Sequence, residues 1–117
     1  MLAAKWIFRI AGIYGLLVIT PLFFADTSQM AQPVYYLGFA GIAFVFQILF
    51  LVISTDPVRY RPIMPVCVLE KLSTLPFIYL YLVGRGDEQF FFGGIADQVL
   101  AIAFIVAFLM TPKRDVA

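Results

Sequence analysis

The residues best able to do chemistry in this chain lie inside otherwise apolar segments. Glu70 is followed directly by Lys71, with apolar residues on both sides. A carboxylate is costly to bury in lipid, so this pattern predicts a proton or cation site, an anchor for a polar ligand, or a structural ion pair. Adjacent residues of a helix do not face each other. We therefore favour an ion pair between Glu70 and an arginine of the first segment or the inner loop, such as Arg9, over a pair with Lys71.

Other polar side chains are placed by helical spacing. Tyr81 falls on the same side of its segment as Glu70. Gln47 lies well inside the second segment, where an amide usually bonds a neighbouring helix; ligand or pore lining is the alternative. Asp97 is expected in the first turn of the last helix, where the helix dipole favours an acid. The candidates for ligand binding or ion pairing are therefore Glu70, Lys71, Arg9, Gln47, Tyr81 and Asp97.

Several functional classes are excluded by composition. The chain has no histidine and a single cysteine, Cys67. This removes histidine-ligated haem, the common zinc sites, an internal disulfide and any histidine-dependent acid–base mechanism. The net charge is +1, with no basic run that would bind nucleic acid. We expect no catalytic residue, no metal and no cofactor.

The elements that position these residues are membrane-spanning helices. The 117 residues are 63% hydrophobic and 13% charged, whereas soluble domains are about 45–50% apolar and about 25% charged. The sequence predicts an all-α fold, a bundle of four transmembrane helices forming one domain over residues 1–117. The third span must start near Pro62, because a half-span would leave unpaired backbone groups in lipid. The expected spans are about 3–25, 34–54, 62–84 and 94–110.

The orientation follows from the distribution of basic residues. With alternating sides, one side holds Lys5, Arg9, Arg59, Arg61, Lys113 and Arg114, and the other holds Arg85 alone. Short cytoplasmic loops carry an excess of lysine and arginine. Both termini and the 56–61 loop are therefore expected in the cytoplasm, with the spans in the cytoplasmic membrane.

The inner loop, residues 56–62, has the most distinctive local sequence. Two prolines stiffen it, and Arg59 and Arg61 flank Tyr60. Juxtamembrane arginines bind lipid phosphates, which makes Arg59, Tyr60 and Arg61 candidates for contact with lipid headgroups. A docking surface for a partner protein is the alternative.

A resemblance is carried by Gly38-Phe39, Gln47, the D-P-x-R-Y-R-P loop, Glu70-Lys71, Gly84-Arg85 and Asp97. Together these residues resemble small bacterial four-helix membrane proteins, over about residues 38–97. The layout is also loosely similar to DoxX-like proteins and to EXPERA-type sterol isomerases. The isomerases rely on a membrane-embedded histidine, which this chain lacks. The resemblance therefore implies an architecture and no activity.

Three functional hypotheses are compatible with the sequence. The favoured one is a non-catalytic accessory or scaffold subunit of a membrane complex, with a protein partner or a second copy of the chain as neighbour and membrane lipids around it. The second is a binding or transport protein for a small molecule or lipid that uses the intramembrane Glu70. The third, an enzyme acting on lipids with Glu70 or Asp97 as acid or base, has no obvious second catalytic group.

Overall fold

The computed structural model describes residues 2–113 and consists of helices in this range, with no strand. Four helical segments are long and apolar enough to cross a membrane. This confirms the predicted all-α, four-span architecture. Arg114, part of the predicted charge bias, lies outside the described residues. The elements are α1 (Leu2–Ile19) extended by a 3-10 turn (Thr20–Phe24), α2 (Pro33–Thr55), a second 3-10 turn (Arg61–Ile63) leading into α3 (Met64–Leu72), α4 (Leu75–Leu82) and α5 (Glu88–Met110).

The fourth span begins earlier than the sequence predicted, at Glu88 rather than near Gly94. Asp87 is its N-cap residue: its Oδ1 accepts the backbone N–H groups of Gln89 at 2.6 Å and Phe90 at 3.4 Å. Such a cap satisfies two of the free donors at a helix start. Asp97 therefore lies near the middle of the membrane span. Its predicted place in the first turn was wrong, because the aromatic stretch after Asp87 is helical.

The third span, Arg61–Leu82, is interrupted at Ser73 and Thr74, where the sequence predicted a continuous helix. Pro76 has no N–H, so it cannot bond the carbonyl of Leu72 as a continuing helix would require. The hydroxyl of Ser73 donates to the carbonyl of Glu70 at 2.5 Å, and that of Thr74 to Lys71 at 3.0 Å. Side-chain hydroxyls thus satisfy backbone groups that lipid could not.

The spans pack as two hairpins. Span one lies along span two, α3 and α4 lie along α5, and span one also touches α5. Spans two and three approach each other much less closely. The main core fills one half of the bundle around three buried rings, with Phe8 stacked on Phe104 at 4.4 Å and Phe50 edge-on to Phe104 at 4.9 Å between centroids. The bundle is therefore tight at this end and open between spans two and three.

Small residues of span one, among them buried Ala11, Gly12 and Gly15, bring spans one and two together. A Cβ on Gly12 would lie 2.8 Å from Leu51 and 2.9 Å from the backbone oxygen of Gln47. By contrast, a Cβ on Gly38 or Gly41 would meet nothing within 4 Å. Gly38 and Gly41 therefore make no close helix contact within the chain, and both border an open groove on the outer surface of the bundle.

Candidate functional site

Lys71 is the centre of a charged cluster inside the membrane. Its Nζ lies 3.3 Å from Oδ1 of Asp97 and 3.6 Å from Oε2 of Glu70. It also lies 4.9 Å from the centroid of the Phe50 ring, on the ring face. The Lys71 side chain is only 4% exposed. Lys71 sits near the middle of the 22-residue third span, about 15 Å from either end.

The predicted pairing of Glu70 with an arginine was wrong. The guanidinium of Arg9 lies over the Trp6 ring at 5.3 Å. Arg61 instead donates from Nε to the backbone oxygen of Thr111 at 2.7 Å and lies 3.9 Å from the Phe108 ring centroid. Because α3 packs against α5, the long Lys71 side chain reaches Asp97 and stays within ion-pair distance of Glu70. Glu70 and Lys71 are adjacent on one helix, yet their charged groups lie within ion-pair distance.

The charges of the cluster do not balance. In their ionised forms Glu70 and Asp97 carry two negative charges, and Lys71 supplies one positive charge between them. Both N–O distances exceed the 2.7–2.9 Å typical of a charge-assisted hydrogen bond. An excess charge is unfavourable in a poorly polarisable interior. The cluster therefore favours the arrival of a further positive charge.

Gln47 on span two adds an unpaired oxygen to this cluster. The residue is 2% exposed, and its Nε2 donates to the Ala43 carbonyl of its own helix at 2.8 Å. That bond orients the amide and leaves Oε1 without a hydrogen-bond partner. Oε2 of Glu70 is likewise buried and beyond hydrogen-bonding distance of any donor in the described residues. Both atoms are acceptors, so both require a donor or a cation.

These groups line one cavity of about 70 Å³. A cavity needs roughly 10–15 Å³ on this measure to hold a water molecule, so there is room for a few waters or for a small ion and its waters. Among the described lining residues the charged ones are Glu70, Lys71 and Asp97. The remaining lining residues are Tyr14, Gly15, Val18, Ile19, Leu22, Phe39, Ala43, Gln47, Phe77, Gln89, Phe90 and Gly93.

Three phenylalanine rings lie between the polar cluster and the 83–87 loop. Phe39, Phe77 and Phe90 lie 5.2–5.8 Å apart in edge-to-face pairs. The same rings also line a second pocket, beside Arg85 and Asp87. They therefore form the wall between the polar cavity and that end of the molecule.

The helix interruption is tied to the cluster through Gln98 on α5. Its Nε2 donates to the backbone oxygen of Lys71 at 3.1 Å and lies 3.2 Å from the hydroxyl of Thr74. The end of α3 is thus fixed with its carbonyl groups close to Lys71. Gln98 therefore links the interruption in the third span to α5.

The remaining sequence candidates lie outside the cavity. Tyr81 stacks on Phe91 at 4.3 Å between ring centroids and is partly exposed. At the inner loop, the guanidinium of exposed Arg59 lies 5.6 Å from the Tyr60 ring centroid. Arg61, through its bond to Thr111, closes the end of α5. The structure therefore brings together Glu70, Lys71, Gln47 and Asp97 and leaves Arg9, Tyr81, Arg59, Tyr60 and Arg61 elsewhere.

The chemistry open to the cluster is the binding of positive charge. Within residues 2–113 no group of three or more histidine, cysteine or acidic residues is placed to hold a metal ion. The cavity instead offers two carboxylates and an amide oxygen to a cation or an N–H donor. No family model, no curated protein and no solved structure matches this chain.

Proposed function

We propose that this protein is a non-catalytic membrane protein that binds, and in that way carries or senses, a small cation or a molecule bearing an ammonium group. The observation that carries the proposal is the single ammonium of Lys71 shared by two carboxylates that are only 13% and 20% exposed. An acidic cluster alone would be insufficient. Here Gln47, which is 2% exposed and has an unpaired Oε1, lines the same cavity.

The binding mode follows from these acceptors. A monovalent cation beside Glu70 would neutralise the excess negative charge while Lys71 keeps its contact with Asp97. Oε2 of Glu70 and Oε1 of Gln47 would then gain the partner that each lacks. Satisfying buried acceptors avoids a desolvation penalty of about 1–3 kcal/mol for each group. The ligand thus supplies a positive charge or N–H donor to acceptor oxygens that have no hydrogen-bond partner in the folded chain.

The proposal includes an orientation. We place the protein in a bacterial inner membrane. The bias of lysine and arginine favours the orientation in which both chain termini and the Arg59–Arg61 loop face the cytoplasm. In that orientation the Phe39, Phe77 and Phe90 rings lie on the external side of the polar cavity. Exposed Arg59 remains available to lipid phosphates at the inner surface.

Cation-dependent stability tests this function. The purified protein in nanodiscs is unfolded by heat in chloride salts of ammonium, methylammonium, potassium or sodium, at constant ionic strength set with N-methyl-D-glucamine. A ligand that binds the folded state stabilises it by RT ln(1 + [L]/Kd), about 2.7 kcal/mol at a hundredfold excess over Kd. We expect at least one of these cations to raise the unfolding temperature with a saturable dependence on concentration.

Two variants make that test specific. Glu70→Gln should abolish the cation effect, since the remaining Lys71 and Asp97 charges balance. Glu88→Gln removes the same charge from an exposed position in the first turn of α5 and should leave the effect intact. Equal unfolding temperatures in all salts, or an undiminished cation effect in Glu70→Gln, would refute the proposed function.

A second candidate function is an accessory subunit of a membrane complex. It is favoured by a groove of about 410 Å³ on the outer surface of span two, lined by Gly38, Gly41, Ile42, Val45 and Phe46. Glycines permit a close approach by a further helix in lipid. The discriminating observation is the native mass in nanodiscs. A mass above one chain that falls to one chain in Gly41→Leu would favour this candidate.

A further inference from the structure

An apolar groove on the lipid-facing side of the bundle adjoins the cavity, and three residues line both. This groove, about 370 Å³ in volume, runs between spans two and three. Phe39, Ala43 and Glu70 line both the groove and the polar cavity. The other residues of the groove are Ile42, Phe46, Val66, Leu69, Ser73 and Thr74. An apolar surface open to lipid therefore ends at a buried carboxylate.

Packed aromatic rings stand between the cluster and each end of the bundle. Phe8, Phe50 and Phe104, each fully buried, fill the core between the cluster and the inner end. At the other end stand the rings of Phe39, Phe77 and Phe90. By contrast, spans two and three pack less closely than the other two pairs of spans that are consecutive in the sequence. A ligand that comes from the lipid phase meets the fewest packed side chains.

We infer that the ligand is an amphiphile, a primary amine on an alkyl chain, which enters from the bilayer with its chain between spans two and three and its ammonium group at Glu70. This inference rests on the proposed function and adds the chemical class of the ligand. Charge complementarity selects the head group, because the ionised forms of Glu70 and Asp97 outnumber the ammonium of Lys71 by one charge. The alkyl chain would lie in the groove, against the exposed side chains of Val66 and Leu69.

The competing occupant of the groove is a neutral lipid chain, which has no ammonium group to bind at Glu70. Lipid tails are as apolar as the groove, so the chain alone gains little by leaving the bilayer. Selective binding must therefore come from the ammonium group at Glu70. An amine and an alcohol of equal chain length should occupy the groove to different extents.

Photolabelling in nanodiscs tests this difference. Decylamine and decanol, each with a diazirine at the end of the chain, are irradiated with the protein, and the labelled positions are mapped by mass spectrometry. The amine should label the 42–46 and 66–73 segments several-fold more than the alcohol does. Glu70→Gln should remove that enrichment.

A matched pair of substitutions checks the location. Val66→Trp places a large ring in the groove and should lower labelling by the amine several-fold. Val99→Trp makes the same change at a similarly exposed position on α5, outside the groove, and should have no effect. Equal labelling by amine and alcohol, or enrichment that persists in Glu70→Gln, would overturn the inference.

The outcomes separate this inference from the function beneath it. Stabilisation by ammonium or methylammonium through Glu70, without amine enrichment in the groove, would refute the amphiphile and leave the cation site standing. Failure of both experiments would refute the cation site itself. Enrichment of the amine that depends on Glu70 would support both.

Discussion

Replacing Lys71 with methionine should lower the free energy of unfolding by roughly 3–5 kcal/mol, the usual cost of leaving a buried charge without its partner. The variant keeps the length of the side chain and removes its charge. Glu70 and Asp97 would then lie near the middle of the membrane with no described cation within 4 Å. The measurement is reversible denaturant unfolding in mixed micelles.

Two further variants identify charge as the cause. Lys5→Met makes the same change near the inner end of α1, where water is close, and should cost well under 1 kcal/mol. Adding Glu70→Gln and Asp97→Asn to Lys71→Met removes the uncompensated charges and should restore most of the lost stability. A small effect of Lys71→Met, or no recovery in the triple variant, would show that the cluster is not the desolvated charge network described above.

The same cluster changes what is expected of Glu70 and Arg9. Because Lys71 retains Asp97, Glu70→Gln should change stability far less than Lys71→Met does. A double-mutant cycle between Glu70 and Lys71 should give a coupling energy in the range of 0.5–3 kcal/mol that is typical of contacting residues. The matching cycle between Glu70 and Arg9 should give none, since Arg9 lies over Trp6.

Substitution of Gly12 with leucine should give the second large loss of stability. Even a Cβ at this position approaches the Gln47 backbone oxygen to 2.9 Å, and backbone cannot move aside as a side-chain end can. Spans one and two must separate, at a cost near the upper end of the roughly 1–3 kcal/mol range for overpacking. Because Gln47 lies at the same contact, its Oε1 should also lose its position in the cavity.

Gly41→Leu is the matched control for Gly12→Leu. It introduces the same side chain into span two at a position where a Cβ meets nothing within 4 Å. Its unfolding free energy should stay close to that of the unsubstituted protein. Equal losses in the two variants would contradict the close approach of spans one and two at Gly12.

The four spans could be predicted from apolar length, together with the requirement that each helix cross the whole hydrocarbon core. The second span, expected at about 34–54, is α2 at Pro33–Thr55. The start of α5 was missed, although Asp87 ahead of a helical stretch is a typical N-cap signal. Because the predicted helix started too late, the prediction placed Asp97 in its first turn, whereas the structure places Asp97 near the middle of the span. Its pairing with Lys71 was therefore hidden.

The site itself depends on contacts that no spacing rule supplies. Gln47 and Glu70 were recognised as unusual because polar side chains are rare in lipid. Which cation Glu70 meets depends on how α3 packs against α5, and the sequence does not fix that packing. Pro76 is a sequence signal for the interruption at Ser73. The contact between this interruption and the cluster is made by Gln98, which lies on another span.

Equilibrium binding of radiolabelled methylammonium to the purified protein tests the cation site most directly. The protein in nanodiscs should bind one methylammonium per chain with a saturable isotherm, and unlabelled ammonium should compete. Glu88→Gln should bind as the unsubstituted protein does, whereas Glu70→Gln with Asp97→Asn should show no saturable binding. Absence of saturable binding to the unsubstituted protein, or equal binding to the double variant, would contradict a cation site formed by Glu70, Lys71 and Asp97.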